Sequence, residues 1–429
     1  MCRYPDLLLC TACRLPSSWS FTLKSGPIVA RYLEDAYFFM HHFLRCWLLL
    51  AVAQSPDRAT LDKIFTELAE TTGFTIRRPV SFEVLSRGQV NKFLDERLRE
   101  AVRPAEVRAE ELTLKKLGFV PADFDLKKTT IALLTEQTAA FYDYHRKKLY
   151  LTDWASTSLR DTAMVHEMAH ALADQNFSLE RFAKRVENDS EQAAARQAVV
   201  EGQASWLMAE LGKRHPQTPS APEEPFPVFD SAPLYLRETL TFPYTYGTEF
   251  QQALFARWGK LSFSHVFKQP PISTQQILHP ELYFSGKQPV HVTLPNLKKM
   301  HRLVGGELGE LEHSILLRQF TTDVEARAVS PHWRGARYQL WEDKRTERVA
   351  LVYRSAWDTD EAASQFFGLY RQVLNKKLKG LAVSAETANR YAGKAEDGYF
   401  AVELTGAVVT SREGLAEEPQ LLLSTHLNL

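Results

Sequence analysis

The stretch Asp161-Thr-Ala-Met-Val-His-Glu-Met-Ala-His-Ala-Leu-Ala-Asp174 decides how the rest of this chain is read. It contains His166-Glu167-Met168-Ala169-His170, two histidines four residues apart with a glutamate beside the first. On a helix that spacing puts both imidazoles on one face, one turn apart, where they can reach a single metal ion. Glu167 then sits about 100° round the helix, beside an open coordination position, able to take a proton from water and pass it to a leaving amine. Paired helical histidines also occur as capped or salt-bridged surface features. The flanks argue against that here: Ala163, Met164, Val165, Met168, Ala169, Ala171 and Leu172 are small or apolar all round, so the helix is expected to be buried. Two buried histidines and a glutamate are costly without partners, and a metal removes that cost.

A catalytic zinc takes three protein ligands and keeps one position for water, so a third ligand is expected from a following helix. Asp189, Glu191 and Glu201 are the carboxylates available. Context favours Glu201, which lies mid-helix in Ala198-Val-Val-Glu-Gly-Gln-Ala204 among small and apolar neighbours. Gly202 beside it would let another backbone, or the metal helix itself, come close. Glu191 lies in the polar Asn188-Asp-Ser-Glu-Gln192 start, where helix N-capping is the simpler role.

Upstream of the motif, Ala140-Phe-Tyr-Asp-Tyr-His-Arg-Lys-Lys-Leu-Tyr-Leu151 reads as two short strands joined by a polar turn at Tyr144 to Lys147. If Phe141–Asp143 or Leu149–Leu151 forms the sheet edge, an extended peptide could add to it by main-chain hydrogen bonds. Before the hairpin come a helix from Asp57 to Thr71, a strand around Pro79 to Val84, two helical stretches from Gln89 to Leu117, and a helix from Lys127 to Glu136. After the motif, a helix from Glu191 to Leu211 leads to six prolines between Pro216 and Pro233, an irregular excursion. Phe242-Pro-Tyr-Thr-Tyr-Gly247 opens a helix to Trp258, and another runs from Glu307 to Phe320. From Val329 the pattern becomes strand, strand, helix (Thr359 to Leu374), then β-rich to the end, as in a small α+β domain.

The chain has 429 residues, 52 basic and 52 acidic, so no basic face points to nucleic acid. No apolar run reaches membrane-spanning length. Met40-His-His-Phe-Leu-Arg-Cys-Trp-Leu-Leu-Leu-Ala-Val-Ala-Gln54 has the form of a secretory signal with Ala51-Val-Ala53 as its cleavage site, which makes Met40 the expected start. All four cysteines (Cys2, Cys10, Cys13 and Cys46) precede that cut, and a mature chain without thiols suits an oxidising compartment. The expected organisation is a leader over residues 1–53, a zincin-like unit over 54–325 and an accessory unit over 326–429.

A strand hairpin, then H-E-x-x-H-A-L, then a helix bearing E-G-x-A resembles the gluzincin class of thermolysin-like zinc metallopeptidases. More narrowly, the chain resembles a group of mostly bacterial, exported zincin-like proteins. The matching stretches are Leu117 to Pro121, Ala140 to Asp143, Val165 to Phe177, Val200 to Ala204, Phe242 to Gly247 and Ser273 to Pro280. Residues 75–290 carry the likeness well, and the C-terminal hundred only loosely. In that group the position of Gln203 is commonly acidic, a departure that leaves the three ligands intact.

The resemblance implies an α+β protein: a zincin-like metalloprotease domain, mainly helical with a small sheet, followed by a small α+β domain. It implies one Zn²⁺ per chain on His166, His170 and Glu201, Glu167 as general base, a peptide or protein substrate, and a periplasmic or extracellular location. A donor to the developing oxyanion is also needed. Tyr244, Tyr246 and His279 are the candidates, with core packing or turn capping as their competing roles. Asp174, one turn beyond His170, could orient a ligand imidazole or lie exposed at the helix end. Two other functions fit the same residues: a zincin-fold zinc protein that binds peptide or envelope components without turnover, and a hydrolase of a non-peptide amide.

Overall fold

The computed structural model describes residues 58–90, 92–93, 103–137, 140–154, 157–214, 226–297 and 300–420. The candidate leader, all four cysteines and most of the proline-rich excursion lie outside them. The described chain is α+β. Its first part holds α1 (Arg58–Thr72), β1 (Ser81–Leu85), α2 (Pro104–Leu117), α3 (Leu126–Gln137), β2 (Ala140–Asp143) and β3 (Lys148–Thr152). Helix α2 starts with proline in its first turn and stops at Gly118, whose φ of 88° only glycine adopts without strain. The expected hairpin forms: β2 pairs antiparallel with β3. Asp143 Oδ1 shapes its turn by accepting from the amides of His145 and Arg146 at 2.8 and 2.9 Å. β1 joins β3 in parallel, so the strand order is β1-β3-β2.

Helix α4 (Thr157–Phe177) carries the H-E-x-x-H motif and packs on the hairpin and on α1. It is followed by α5 (Ser190–Arg214) and α6 (Leu234–Trp258), the most extensively packed pair of helices, then α7 (Leu261–Lys268) and the short α8 (Thr274–Leu278). Helix α6 begins eight residues before the expected start at Phe242 and runs through Pro243. An internal proline costs about 3 kcal/mol of helix stability. Here Tyr235, Leu236, Leu240, Tyr244, Phe250 and Leu254, on both sides of it, are all buried, and that continuous face outweighs the local loss.

The second part is an antiparallel sheet in the order β4-β5-β6-β10-β9-β8-β7. Its strands are β4 (His301–Glu307), β5 (Trp333–Glu342), β6 (Val349–Trp357), β7 (Ala382–Glu386), β8 (Arg390–Ala395), β9 (Gly398–Thr405) and β10 (Val408–Leu415). Helices α9 (Glu310–Phe320) and α10 (Asp360–Lys377) pack together, and α10 lies on β6, β9 and β10. The helix expected from Glu307 begins instead at Glu310, because Gly305 and Gly306 belong to β4, paired with β5, and Gly309 takes the N-cap position. The sheet therefore draws on residues ahead of the 325/326 boundary read from the sequence.

Where the two parts meet, carboxylates gather. Ser190 donates to the Glu307 carbonyl at 2.9 Å, and Glu191 accepts from the amide and hydroxyl of Thr274 at 2.9 and 2.8 Å. Gly309 fits only because it lacks a side chain: a Cβ there would lie 1.7 Å from Glu191 Oε1. Glu110, Glu307 and Glu312 line one small void with Tyr338. Burial pushes Glu110 up from 4.5 to about 8. Burial and the neighbouring Asp189 push Glu307 up to about 7.

Between pH 4.5 and about 8 the folded chain therefore holds a proton on Glu110 that the unfolded chain has lost, and stability falls as pH rises through that window. The loss by pH 7 is on the order of 3 kcal/mol. Glu110→Gln keeps the shape without the ionisation. Its melting temperature should fall distinctly less than the wild type's between pH 5 and 8. Parallel curves for the two proteins would rule out Glu110 as the source.

Candidate metal centre

The motif helix is buried as its flanks required. His166, Glu167 and His170 are 4%, 1% and 2% exposed, and Glu201, brought in by α5, is 3% exposed. His166 Nε2 lies 2.9 Å from His170 Nε2 and 3.1 Å from Glu201 Oε2, and His170 Nε2 lies 3.3 Å from the same oxygen. Among the described residues, these three are the histidine, cysteine and acidic side chains grouped closely enough to hold a metal ion. Tetrahedral zinc with bonds of about 2.0–2.1 Å sets its ligand atoms about 3.3 Å apart, close to the triangle seen here. Two imidazole nitrogens and one carboxylate oxygen also match the nitrogen-rich sites of zinc and its transition-metal neighbours, and not the all-oxygen sites of calcium and magnesium. The residues present fit the ion.

The electrostatics agree. Burial lowers the His166 pKa, and the charge of His170 lowers it further. Burial also lowers that of His170, but the Glu201 and Glu167 carboxylates outweigh it and the net shift is upward. Burial alone would raise Glu201, yet the two imidazoles hold its carboxyl well below the usual range. The 2.9 Å approach of the two imidazole nitrogens needs a proton between them when no ion is bound, and a divalent cation would take its place.

Helix α5 packs on α4, where Glu201 meets the histidines, and crosses α6 one residue further on. Gly202 meets Gly247 so closely that a Cβ at Gly202 would lie 2.1 Å from the Gly247 carbonyl carbon. The expected close approach beside Glu201 is present, and the backbone that approaches is that of α6 rather than of the motif helix. The other two acidic candidates lie elsewhere. Asp189 caps α5, its Oδ1 accepting from the Gln192 amide at 2.9 Å. Glu191, expected at the helix cap, is instead buried against Thr274. The cap falls to Asp189 because it directly precedes the first helical turn. Glu191→Gln should accordingly keep a full equivalent of zinc by elemental analysis, and metal loss there would put Glu191 back among the ligands.

Of the three oxyanion candidates, Tyr244 lies nearest the triad. It is fully buried, and its ring centroid is 6.1 Å from that of His166. Tyr246, two residues on, points away from the face that packs on α5. It is 38% exposed and tilts against Phe242 at 5.6 Å. His279 stands between α8 and the next short helix with Nε2 2.8 Å from Glu310 Oε1, a bond that raises its pKa. The structure thus groups Tyr244 with His166 and pairs Tyr246 and His279 with other partners.

Asp174 takes neither of its two expected roles. It is buried, with Oδ2 accepting from the Tyr142 hydroxyl at 2.9 Å and from Lys147 Nζ at 2.8 Å, and Oδ1 accepting from the Leu179 amide at 3.1 Å. The hairpin's β2 is the edge strand and β3 is internal. All four β2 residues are buried, however, and the Tyr142 amide donates to Glu167 Oε2 at 2.9 Å. Sequence reasoning places Tyr142 on the hairpin strand and Lys147 in its turn but gives neither side chain a role at the site. The one available signal was their place in the hairpin that leads into the motif helix.

Residues 298–422, the β4–β10 sheet with its helices, match a family described as a domain of unknown function, DUF8575. No curated protein and no solved structure matches the chain. Among the described residues, no helix is long and apolar enough to cross a membrane.

Proposed function

We propose that this chain is an exported, zincin-like zinc metallopeptidase. The observation that carries the reading is the triangle of His166, His170 and Glu201, 2.9–3.3 Å on its edges, with Glu167 on the same helix as the two histidines. Export rests on the signal-like run from Met40 to Ala53. When bound, the zinc would lower the pKa of a water and polarise the scissile carbonyl.

The remaining chemistry falls to side chains. The Tyr142 amide holds Glu167 Oε2, and we assign Oε1 the proton taken from the attacking water. The same carboxyl returns that proton to the amine nitrogen as the C–N bond breaks. Tyr244, whose ring lies 6.1 Å from that of His166, is the candidate hydroxyl donor to the carbonyl oxygen as it gains charge. A buried site strengthens each of these interactions, because water no longer screens them.

The same burial supports a second reading, in which zinc is held for structure or for binding a partner without turnover. Each triad residue is 4% exposed or less, so a polypeptide reaches Glu167 only if the cover opens. The two readings separate on one experiment. The zinc-loaded chain and its Glu167→Gln variant are incubated with a diverse peptide mixture, and new termini are read by mass spectrometry. Cleavage by the wild type that disappears in the variant and with chelator supports the peptidase. An unchanged mixture with one zinc per chain supports the non-turnover protein, and absence of bound zinc sinks both.

A further inference from the structure

The H-E-x-x-H glutamate does not sit alone against the hairpin. Glu167 Oε2 accepts the main-chain amide of Tyr142 at 2.9 Å, a bond made in the buried interior between α4 and the outer side of β2. The side chain of the same tyrosine runs to the far end of α4, where its hydroxyl donates to Asp174 Oδ2 at 2.9 Å. Asp174 is two turns beyond Glu167 on that helix. Lys147, in the hairpin turn, brings Nζ to within 3.0 and 2.8 Å of both Asp174 oxygens. Lys147 holds a φ of 56°, unusual for a residue with a side chain, and this turn conformation carries its ammonium back under the strand. One residue of β2 is thus fastened to the motif helix at two points, and the hairpin turn locks the second.

We propose that Tyr142 is a positioning residue for Glu167, its amide fixing the carboxylate while the Lys147–Asp174–phenol tie fixes the amide. The requirement is physical. A general base must hold its carboxylate within hydrogen-bond reach of the proton it takes, and misplacement of about 1 Å can cost 10²-fold in rate. A glutamate side chain has three rotatable bonds, and an amide donor at one oxygen removes most of that freedom. The Asp174 charge is balanced by Lys147, so the buried tie carries no unpaired ion. Burial, with the charge of Asp174, pushes the Tyr142 phenol well above its ordinary pKa, which keeps it a donor throughout the working pH range.

The test has a structural arm and a kinetic arm, and the kinetic arm rests on the metallopeptidase reading. Residue-resolved hydrogen exchange on the zinc-loaded full chain measures the Tyr142 amide directly. Exchange should quicken at least tenfold in Glu167→Ala and stay within about threefold of wild type in Glu167→Gln, whose side-chain carbonyl still accepts. Tyr142→Phe should quicken it about tenfold as well. Lys147→Met should do the same, and Lys147→Arg should restore most of the protection.

On a peptide that the wild type cleaves, Tyr142→Phe and Lys147→Met should lower kcat about 10- to 100-fold with KM within about threefold, and should keep one zinc per chain. Should Tyr142→Phe fail to fold, Lys147→Met, at a half-buried position of the hairpin turn, carries the same comparison. An unchanged Tyr142 amide in Glu167→Ala overturns the proposal, as does wild-type exchange and kcat in both tie variants. A wild type that cleaves nothing defeats the peptidase reading instead, and the exchange pattern still decides whether Tyr142 holds Glu167.

Discussion

If the proposed zinc site is right, Glu201→Gln is expected to cost the chain its metal. The substitution keeps volume and shape but replaces a carboxylate, 3.1 and 3.3 Å from the two imidazoles, with a neutral amide. Amide oxygen is a weak zinc ligand, and the net charge around a divalent ion rises by one in a site where each ligand is 4% exposed or less. Affinity should fall at least about 10²-fold, measured by competition against a chromogenic chelator and by metal content after dialysis. A linked result follows from mass action. A ligand present at about 1,000 times its Kd stabilises the folded state by about 4 kcal/mol. Zinc should therefore raise the wild-type melting temperature by several degrees and that of Glu201→Gln by about a third as much or less. Equal zinc content in the two proteins would remove Glu201 from the centre.

The parts of this centre that could be read in the sequence were those fixed by local periodicity. His166 and His170 meet because any helix brings positions i and i+4 together, and the apolar flanks already required burial. Glu201 was legible for a different reason: Gly202 beside it announced a close backbone approach, and α6 supplies one at Gly247. The side-chain partnerships across the tertiary fold were not legible. Tyr244 and Tyr246 stand two residues apart in one stretch, and only the rotation of α6 decides which ring faces His166, while His279 lies off that helix and pairs with Glu310. Asp174 has a helix-end position that reads equally as exposed, and its tie to Tyr142 and Lys147 spans 27 to 32 residues.

A similar limit governed the fold. The hairpin, α4 and α5 formed where hydrophobic alternation and helix-stop signals placed them, because each is decided within a few turns of chain. The start of α6 and the strand nature of residues 301–307 depend on partners far away in sequence. Pro243 reads locally as a helix start, but the burial of Tyr235, Leu236, Thr239 and Leu240 on α6 extends the helix backwards. Gly305 and Gly306 have poor strand propensity, but β5 supplies their pairing. Tertiary context won in both places.

The largest stability effect is expected at Gly202→Ala. On an isolated helix this change gains about 1 kcal/mol, since alanine is the better helix former. In the folded chain the new Cβ would lie 2.1, 2.2 and 2.6 Å from the carbonyl carbon, oxygen and Cα of Gly247, all backbone atoms that no rotamer change can move. The α5–α6 pair must separate along its whole crossing, which opens the best-packed helix contact beside the metal centre. The net loss should be about 3 kcal/mol or more in urea unfolding, with Glu201 displaced and zinc affinity reduced at the same time. Gly247→Ala should behave alike, because its Cβ would meet the Ala198 carbonyl oxygen at 2.3 Å. The two changes should be strongly non-additive, since separating the helices once relieves both clashes. Gly212→Ala supplies the control on the same helix: no heavy atom lies within 4 Å of its new Cβ, so it should stabilise the protein by up to about 1 kcal/mol and leave zinc untouched. If Gly202→Ala and Gly212→Ala shift the unfolding midpoint in the same direction, the Gly202–Gly247 approach is not what sets the α5–α6 crossing.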